Sequence, residues 1–294
     1  MNILVTGASG GFGKRLIPAL VEREKVKIRV LEHCSPVELP HCERVSGELA
    51  DRDSLTAATL GIDIVVHLAA LTHSPNREDY FKVNAEGTKN LIEACIRNKI
   101  SRFVYMSSGA AHPQGGAYSE SKLAAERWVK ESGLPWTILR PREVYGTGGK
   151  VGINQLIHWV QKSPLIPVIG NGQYLLSPVF IDDVVSATVE AVFQADALEN
   201  TYEFAGPEDI MFATLIDRLS AYFGVHVMKF FIPVFFVQAV TSLLNVANIN
   251  TLVPDQIPRL LCDKKPSIHS EIPLLNYKPR KLEEGLRLYF SCKD

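Results

Sequence analysis

The chain has 294 residues, 46% of them hydrophobic, enough to bury a large core as one extended α/β domain or as a domain with a smaller lobe. Its 31 basic and 32 acidic residues nearly cancel. With no long basic run, the sequence lacks the concentrated positive field that nucleic-acid binding requires. The five cysteines, Cys34, Cys42, Cys95, Cys262 and Cys292, are odd in number and scattered without a CxxC pair. They read as free thiols rather than disulfides or zinc ligands, so no metal site is expected. The first residues already look like a strand, which leaves no room for a signal peptide and makes a cytoplasmic protein the expectation.

In chain order, strands are predicted over 2–6, 27–31, 64–68, 102–106 and 136–139, with helices over 12–24, 50–58, 80–97 and 119–131 between them. This alternation predicts a Rossmann-type, doubly wound parallel sheet with helices on both faces. The near-continuous apolar run Ile64-Val-Val-His-Leu68 suits a strand buried on both sides. After Tyr145 the pattern loosens and prolines become frequent. The sequence thus divides into a cofactor domain, 1–145, and a mainly substrate-binding lobe, 146–294, whose helix over 182–193 can still pack on the sheet.

Thr6-Gly7-Ala8-Ser9-Gly10-Gly11-Phe12-Gly13 follows the first strand and opens an apolar helix. Gly7 permits the tight turn, Gly10 lets a pyrophosphate approach the backbone, and Gly13 lets the helix pack close to the sheet. The free N–H groups of the turn, those of Gly11 and Phe12 among them, and the positive helix end face the phosphates. Glu32, at the end of the second strand, can accept hydrogen bonds from the adenosine ribose and would repel a 2′-phosphate. The cofactor expected is therefore NAD, although His33 beside it is a basic group that could tolerate NADP.

Tyr118-Ser119-Glu120-Ser121-Lys122 begins a helix, and the i, i+4 spacing puts the phenol and the ammonium on one face. A nearby ammonium favours phenolate, so this tyrosine can exchange a proton with a hydroxyl or carbonyl. Met106-Ser107-Ser108 precedes the pair, and a serine hydroxyl at that strand end can hydrogen-bond the reacting oxygen.

These motifs, in this order, resemble the extended branch of the short-chain dehydrogenase/reductase superfamily, the NAD-dependent epimerases and dehydratases. The resemblance runs on through Asp63-Ile-Val-Val-His-Leu-Ala-Ala70, Val83-Asn84-Ala-Glu-Gly87-Thr88-Lys-Asn90, Arg140-Pro141-Arg-Glu-Val-Tyr145-Gly146 and Val179-Phe-Ile-Asp182-Asp183-Val184 to Tyr277-Lys-Pro279-Arg-Lys-Leu-Glu-Glu-Gly285. It implies that Tyr118 is the catalytic acid/base and that Ser108 donates to the substrate oxygen. Lys122 would lower the tyrosine pKa and hold the nicotinamide ribose. Glu48 and Leu49 would lie beside the adenine, Leu68, Ala69 and Ala70 would line the cofactor, and Pro141 would lie on its nicotinamide side. Asn84 either organises structure behind the site or caps a helix. Asp182 and Asp183 cap and charge a helix start. Homodimers are common in the family, but the sequence locates no interface.

Three features depart from the family. Only a short stretch separates Ser108 from Tyr118, His112-Pro113 replaces a Tyr-Gly, and Leu176 stands where nucleotide-sugar enzymes carry a diphosphate-clamping arginine. Arg259 and Arg280 are the candidate substitutes. The apolar segment 230–244 is too short and interrupted to span a bilayer. It is expected to pack as core or as a lid, with an interfacial helix at a membrane surface as the sharper alternative. The functional expectation is a small-molecule enzyme: an NAD-dependent epimerase or dehydratase of a nucleotide sugar, working by tyrosine-assisted transient hydride transfer. The alternatives are a dehydrogenase of a hydrophobic alcohol or ketone, like the 3β-hydroxysteroid dehydrogenases, and a non-catalytic dinucleotide-binding subunit.

Overall fold

The computed structural model describes residues 1–33, 39–146, 151–237, 239, 258 and 272–291. Strands β1 (Asn2–Thr6), β2 (Lys27–Glu32), β3 (Cys42–Ser46), β4 (Ile64–His67), β5 (Arg102–Met106) and β6 (Trp136–Pro141) form one parallel sheet. Their order is β6-β5-β4-β1-β2-β3. Each parallel pairing forces a crossover, and the apolar periodicity between strands supplies helices for them. These are α1 (Gly11–Arg23), α2 (Arg52–Thr59), α3 (Arg77–Tyr80) running into α4 (Gly87–Arg97), and α5 (Gly116–Lys130). The strand order reverses between β1 and β4, which opens a crevice beyond their carboxyl ends.

Side chains alternate across the sheet and divide the core. Ile3, Val5, Val66 and Val104 face Leu16, Ile17 and Leu20 of α1. Leu4, Val65, Phe103 and Tyr105 face Leu55, Leu91, Cys95 and Val129 of the helices opposite. The π-helical stretch Phe81–Glu86 joins α3 to α4, a local widening absent from the predicted helix 80–97.

Beyond residue 145, two further elements join this layer. Strand β11 (Asn200–Phe204) pairs with β6 from Asn200↔Thr137 to Phe204↔Pro141, and α7 (Ile181–Phe193) packs on α1. The remaining strands form small two-stranded sheets: β7 (Glu143–Tyr145) with β10 (Pro178–Phe180), β8 (Leu165–Ile169) with β13 (Met228–Ile232), and β9 (Leu175–Leu176) with β12 (Ile210–Met211). Helices α6 (Gly152–Lys162) and α8 (Phe212–Phe223) pack together here.

Residues 272–291, ending in α9 (Leu282–Ser291), return to the sheet layer. Tyr277 Oη donates to the Ala205 carbonyl at 2.5 Å, and Tyr145 Oη to the Leu282 carbonyl at 3.1 Å.

The described part of the 230–244 segment does not form core. Phe230, Phe231, Phe235 and Phe236 are all exposed, and among the described residues β13 pairs only with β8. Gln238 and residues 240–244 of this segment lie outside the described residues, as do Cys34, Cys262 and Cys292. Cys42 is half-buried and Cys95 fully buried, both as free thiols. Among the described residues no helix is long and apolar enough to cross a membrane.

Candidate active site

The glycine turn sits at the reversal of strand order. Gly7 has φ +73°, and a Cβ there would lie 2.6 Å from the Ala69 amide nitrogen, so only glycine lets β1 end against the loop after β4. A Cβ on Gly13 would lie 2.7 Å from both Cα and O of Ala8. Gly10 is the N-cap of α1, without a side-chain cap, and the first turn, which includes Gly11 and Phe12, contains no acid. The positive helix end therefore keeps its donors for an anion.

Beside it lies a cavity of about 550 Å³, whose wall includes Gly7, His33, Glu48, Leu49, Ala69 and Ala70. The cradle that a Cβ would fill and the uncapped helix end together fit a dinucleotide. At the far end, Glu32 lies 3.8 Å from Arg44 Nε, and His33 Nε2 lies 3.0 Å from Glu48 Oε2. Both basic groups of this corner thus face carboxylates, which does not favour a 2′-phosphate. Leu68 lies behind the cavity, its N–H donating to the Thr6 carbonyl at 3.1 Å.

One buried residue, unforeseen from sequence, fixes this loop. His67 is fully buried, and burial, then the Lys122 charge, holds its pKa down to about 3. Thr88 Oγ1 donates to the Asn84 carbonyl, so it accepts from His67 Nε2–H at 2.9 Å. His67 Nδ1 in turn accepts from Thr6 Oγ1 at 2.6 Å, and Thr6 Oγ1 accepts from the Ala69 N–H at 3.2 Å. Only the neutral Nε2–H tautomer satisfies every link. The available signal was a lone histidine ending an apolar strand.

On the other side of β4, α5 presents its pair. Tyr118 and Lys122 are both buried, one turn apart. Lys122 Nζ donates to the Met106 carbonyl at the end of β5, at 2.8 Å, and lies 4.3 Å from the Tyr105 ring centre. Burial pulls its pKa down to about 7, opposed by the Glu126 carboxylate. The Tyr118 ring meets Tyr80 edge-on at 6.3 Å. Ser108 follows β5, with Oγ accepting from the Ala110 N–H at 3.1 Å. Pro141 ends β6, and its carbonyl accepts from the Gly109 N–H at 2.8 Å. Ser108, Tyr118, Lys122 and Pro141 thus gather at one sheet edge, outside the wall of the 550 Å³ cavity.

Asn84 caps no helix. It lies in the π-helical stretch, where Oδ1 accepts from the Leu71 N–H at 2.7 Å and Nδ2 donates to Ser121 Oγ at 3.0 Å. It thereby links the cofactor loop to α5.

The sequence profile of the NAD dependent epimerase/dehydratase family matches residues 3–205. The chain belongs to this family. Its relatives include the y4nG protein of Sinorhizobium fredii, 34% identical over 64% of this chain and 52% of its own length. They also include the decarboxylating sterol-4-alpha-carboxylate 3-dehydrogenase of Mus musculus, 25% identical over 82% of this chain and 74% of that enzyme. The chain therefore spans about half the length of y4nG. The fold is that of the UDP-glucuronic acid 4-epimerase of Bacillus cereus, solved with UDP-glucuronic acid and NAD. That match has a TM-score of 0.77 and 22% identity, and covers 99% of this chain and 98% of that one.

The family profile stops at residue 205, so the substrate side must be read from this chain's own residues. Leu176, at the expected clamp position, is buried in the core. Arg280 does not substitute for it by default, because its guanidinium pairs with the buried Asp183 carboxylate. Arg259 lies outside the described residues. Asp182 and Asp183 do not cap α7, whose N-cap is Phe180. They tie its first turn to Arg15, at 2.6 Å, and to Arg280.

Proposed function

We propose that this chain is an NAD-dependent epimerase or dehydratase acting on a nucleotide sugar, with Tyr118 as the acid/base. The observation that carries the reading is the buried Tyr118/Lys122 pair, with Lys122 anchored on the Met106 carbonyl beside Ser108. In this reading Ser108 donates to the substrate oxygen, and Tyr118 takes the hydroxyl proton and later returns it. The Lys122 ammonium stabilises the phenolate and holds the nicotinamide ribose. Gly7, Gly10, Gly11, Phe12 and Gly13 receive the pyrophosphate. Glu32, Glu48 and Leu49 surround the adenosine, and Leu68, Ala69, Ala70 and Pro141 line the rest. NAD, when bound, supplies the hydride acceptor. Residues 1–145 would hold the cofactor and 146–294 mainly shape the substrate side.

A second reading, a dehydrogenase of a hydrophobic alcohol, is favoured by the buried Leu176 and the engaged Arg280, and by the name of the mouse relative. One experiment separates the two. Purified protein is incubated with NAD and panels of UDP-sugars and sterols while absorbance at 340 nm is followed and products are analysed. A sugar isomer or dehydration product without net NADH supports the first reading, and stoichiometric NADH with a sterol replaces it with the second.

A further inference from the structure

Tyr118, Lys122 and Glu126 follow one another at i, i+4 and i+8 on α5, which puts them along one helix face. Glu126 is 1% exposed. Its carboxylate accepts from Ser107 Oγ at 2.5 Å and from Arg140 Nε at 2.7 Å, with Arg140 Nη2 on its second oxygen. Ser107 directly precedes Ser108, and Arg140 directly precedes Pro141. One buried carboxylate thus joins the three elements that carry the candidate site.

Every charged or titratable neighbour of Lys122 enters the charge balance. Its own helix contributes Tyr118 and Glu126, β5 contributes Tyr105, β4 contributes His67, and Arg140 reaches Glu126 from β6. His67 is held neutral. Tyr105 is held neutral by burial, reinforced by Tyr118 and Glu126. Lys122 and Arg140 therefore share the Glu126 carboxylate, with Glu203 also acting on Arg140, and Tyr118 adds a second negative charge beside Lys122 when it gives up its proton. Without the carboxylate, the buried Lys122 and the half-buried Arg140 would lose the anion they share, and the lysine is the one able to shed its charge.

We propose that Glu126 is a positioning residue for the redox chemistry, one that keeps the Lys122 ammonium charged and locks the ends of β5 and β6 against α5. This rests on the proposed function, in which Lys122 contacts the nicotinamide ribose. The test needs no substrate: NADH affinity of the full chain is measured by fluorescence from pH 5.5 to 9.5. Affinity in the unaltered chain falls as Lys122 loses its proton. Glu126→Gln should move that midpoint down by about one unit or more, and Glu126→Asp, which keeps the charge, should restore it. Arg140→Gln removes the competing cation and should move the midpoint up, which decides the matter should the glutamine variant not fold. A common midpoint in all folded variants, with affinity merely lowered at every pH, overturns the inference and leaves the function standing. Failure of the unaltered chain to bind NADH overturns both.

Discussion

At the scale of single residues, the proposed chemistry concentrates in the hydroxyl of one phenol, which can be deleted while the ring is kept. Tyr118→Phe keeps the ring, its edge-on contact with Tyr80 and the packing of α5. Turnover should fall by about 10²–10⁴-fold while NAD affinity, measured by titration, stays within twofold or so of the parent. A loss of less than about tenfold would assign the proton transfer to another group. The pair was legible because i, i+4 spacing is a helix-face rule. The His67 chain was not, because Thr6 and Thr88 are brought to it by the sheet and by the first turn of α4. Its buried neutral state has a cost in acid. The unfolded chain binds a proton near the ordinary 6.5, the folded one only near 3, so stability is lost as pH falls through that window. The loss should be about 3 kcal/mol at pH 4.5 and reach about 5 kcal/mol only below the folded value. Urea denaturation at pH 7, 5.5 and 4.5 measures it, and a His67→Gln variant should have a weaker acid dependence despite lower stability at pH 7.

At the scale of elements, strands β1, β2, β4, β5 and β6 could be anticipated because buried parallel strands read as short apolar runs separated by helical periodicity. What escaped lies at the sheet's edges. Strand β3, Cys-Glu-Arg-Val-Ser, is an edge strand with charged side chains in solvent. Strand β11 begins Asn-Thr-Tyr-Glu after Glu199 at φ +57°, and neither shows an apolar signal. The π-helical widening leaves no mark in composition, so Asn84 could be placed on a helix but not in its bridging role. The glycine turn, by contrast, carries its constraint in residue type. Gly13→Ala puts a methyl 2.7 Å from backbone atoms of Ala8, which cannot rotate aside, so α1 must move off the turn. NAD affinity should fall at least about tenfold, the equivalent of 1.4 kcal/mol, and thermal denaturation should show a lowered Tm. Unchanged affinity would mean that the first turn of α1 does not hold the pyrophosphate.

At the scale of the whole molecule, the question is what joins the lobe's last segment to the cofactor layer, and Arg280 is where the sequence and the structure give different answers. By elimination from Leu176 it reads as a substrate clamp. In the fold its backbone N–H donates to Asp183 Oδ2 at 2.9 Å and its guanidinium pairs with Oδ1, while Asp183 sits in the first turn of α7 with its side chain 5% exposed. Arg280→Ala leaves that carboxylate buried with one donor fewer, at a cost of about 1–3 kcal/mol. The pH dependence distinguishes this role from a clamp. Burial already holds the Asp183 pKa above the usual carboxylate value, with Arg280 opposing, so removing Arg280 raises it further. A carboxyl whose folded pKa is raised binds its proton more tightly in the folded state, and stability is lost as pH climbs through that value. Chemical denaturation should therefore show a larger deficit for the variant at pH 8 than at pH 4.5, with little change in the KM of whichever substrate is turned over. An unchanged stability with a KM raised tenfold or more, about 1.4 kcal/mol of lost binding, would instead return Arg280 to the substrate. The nucleotide-sugar reading would then regain the cation that Leu176 denies it.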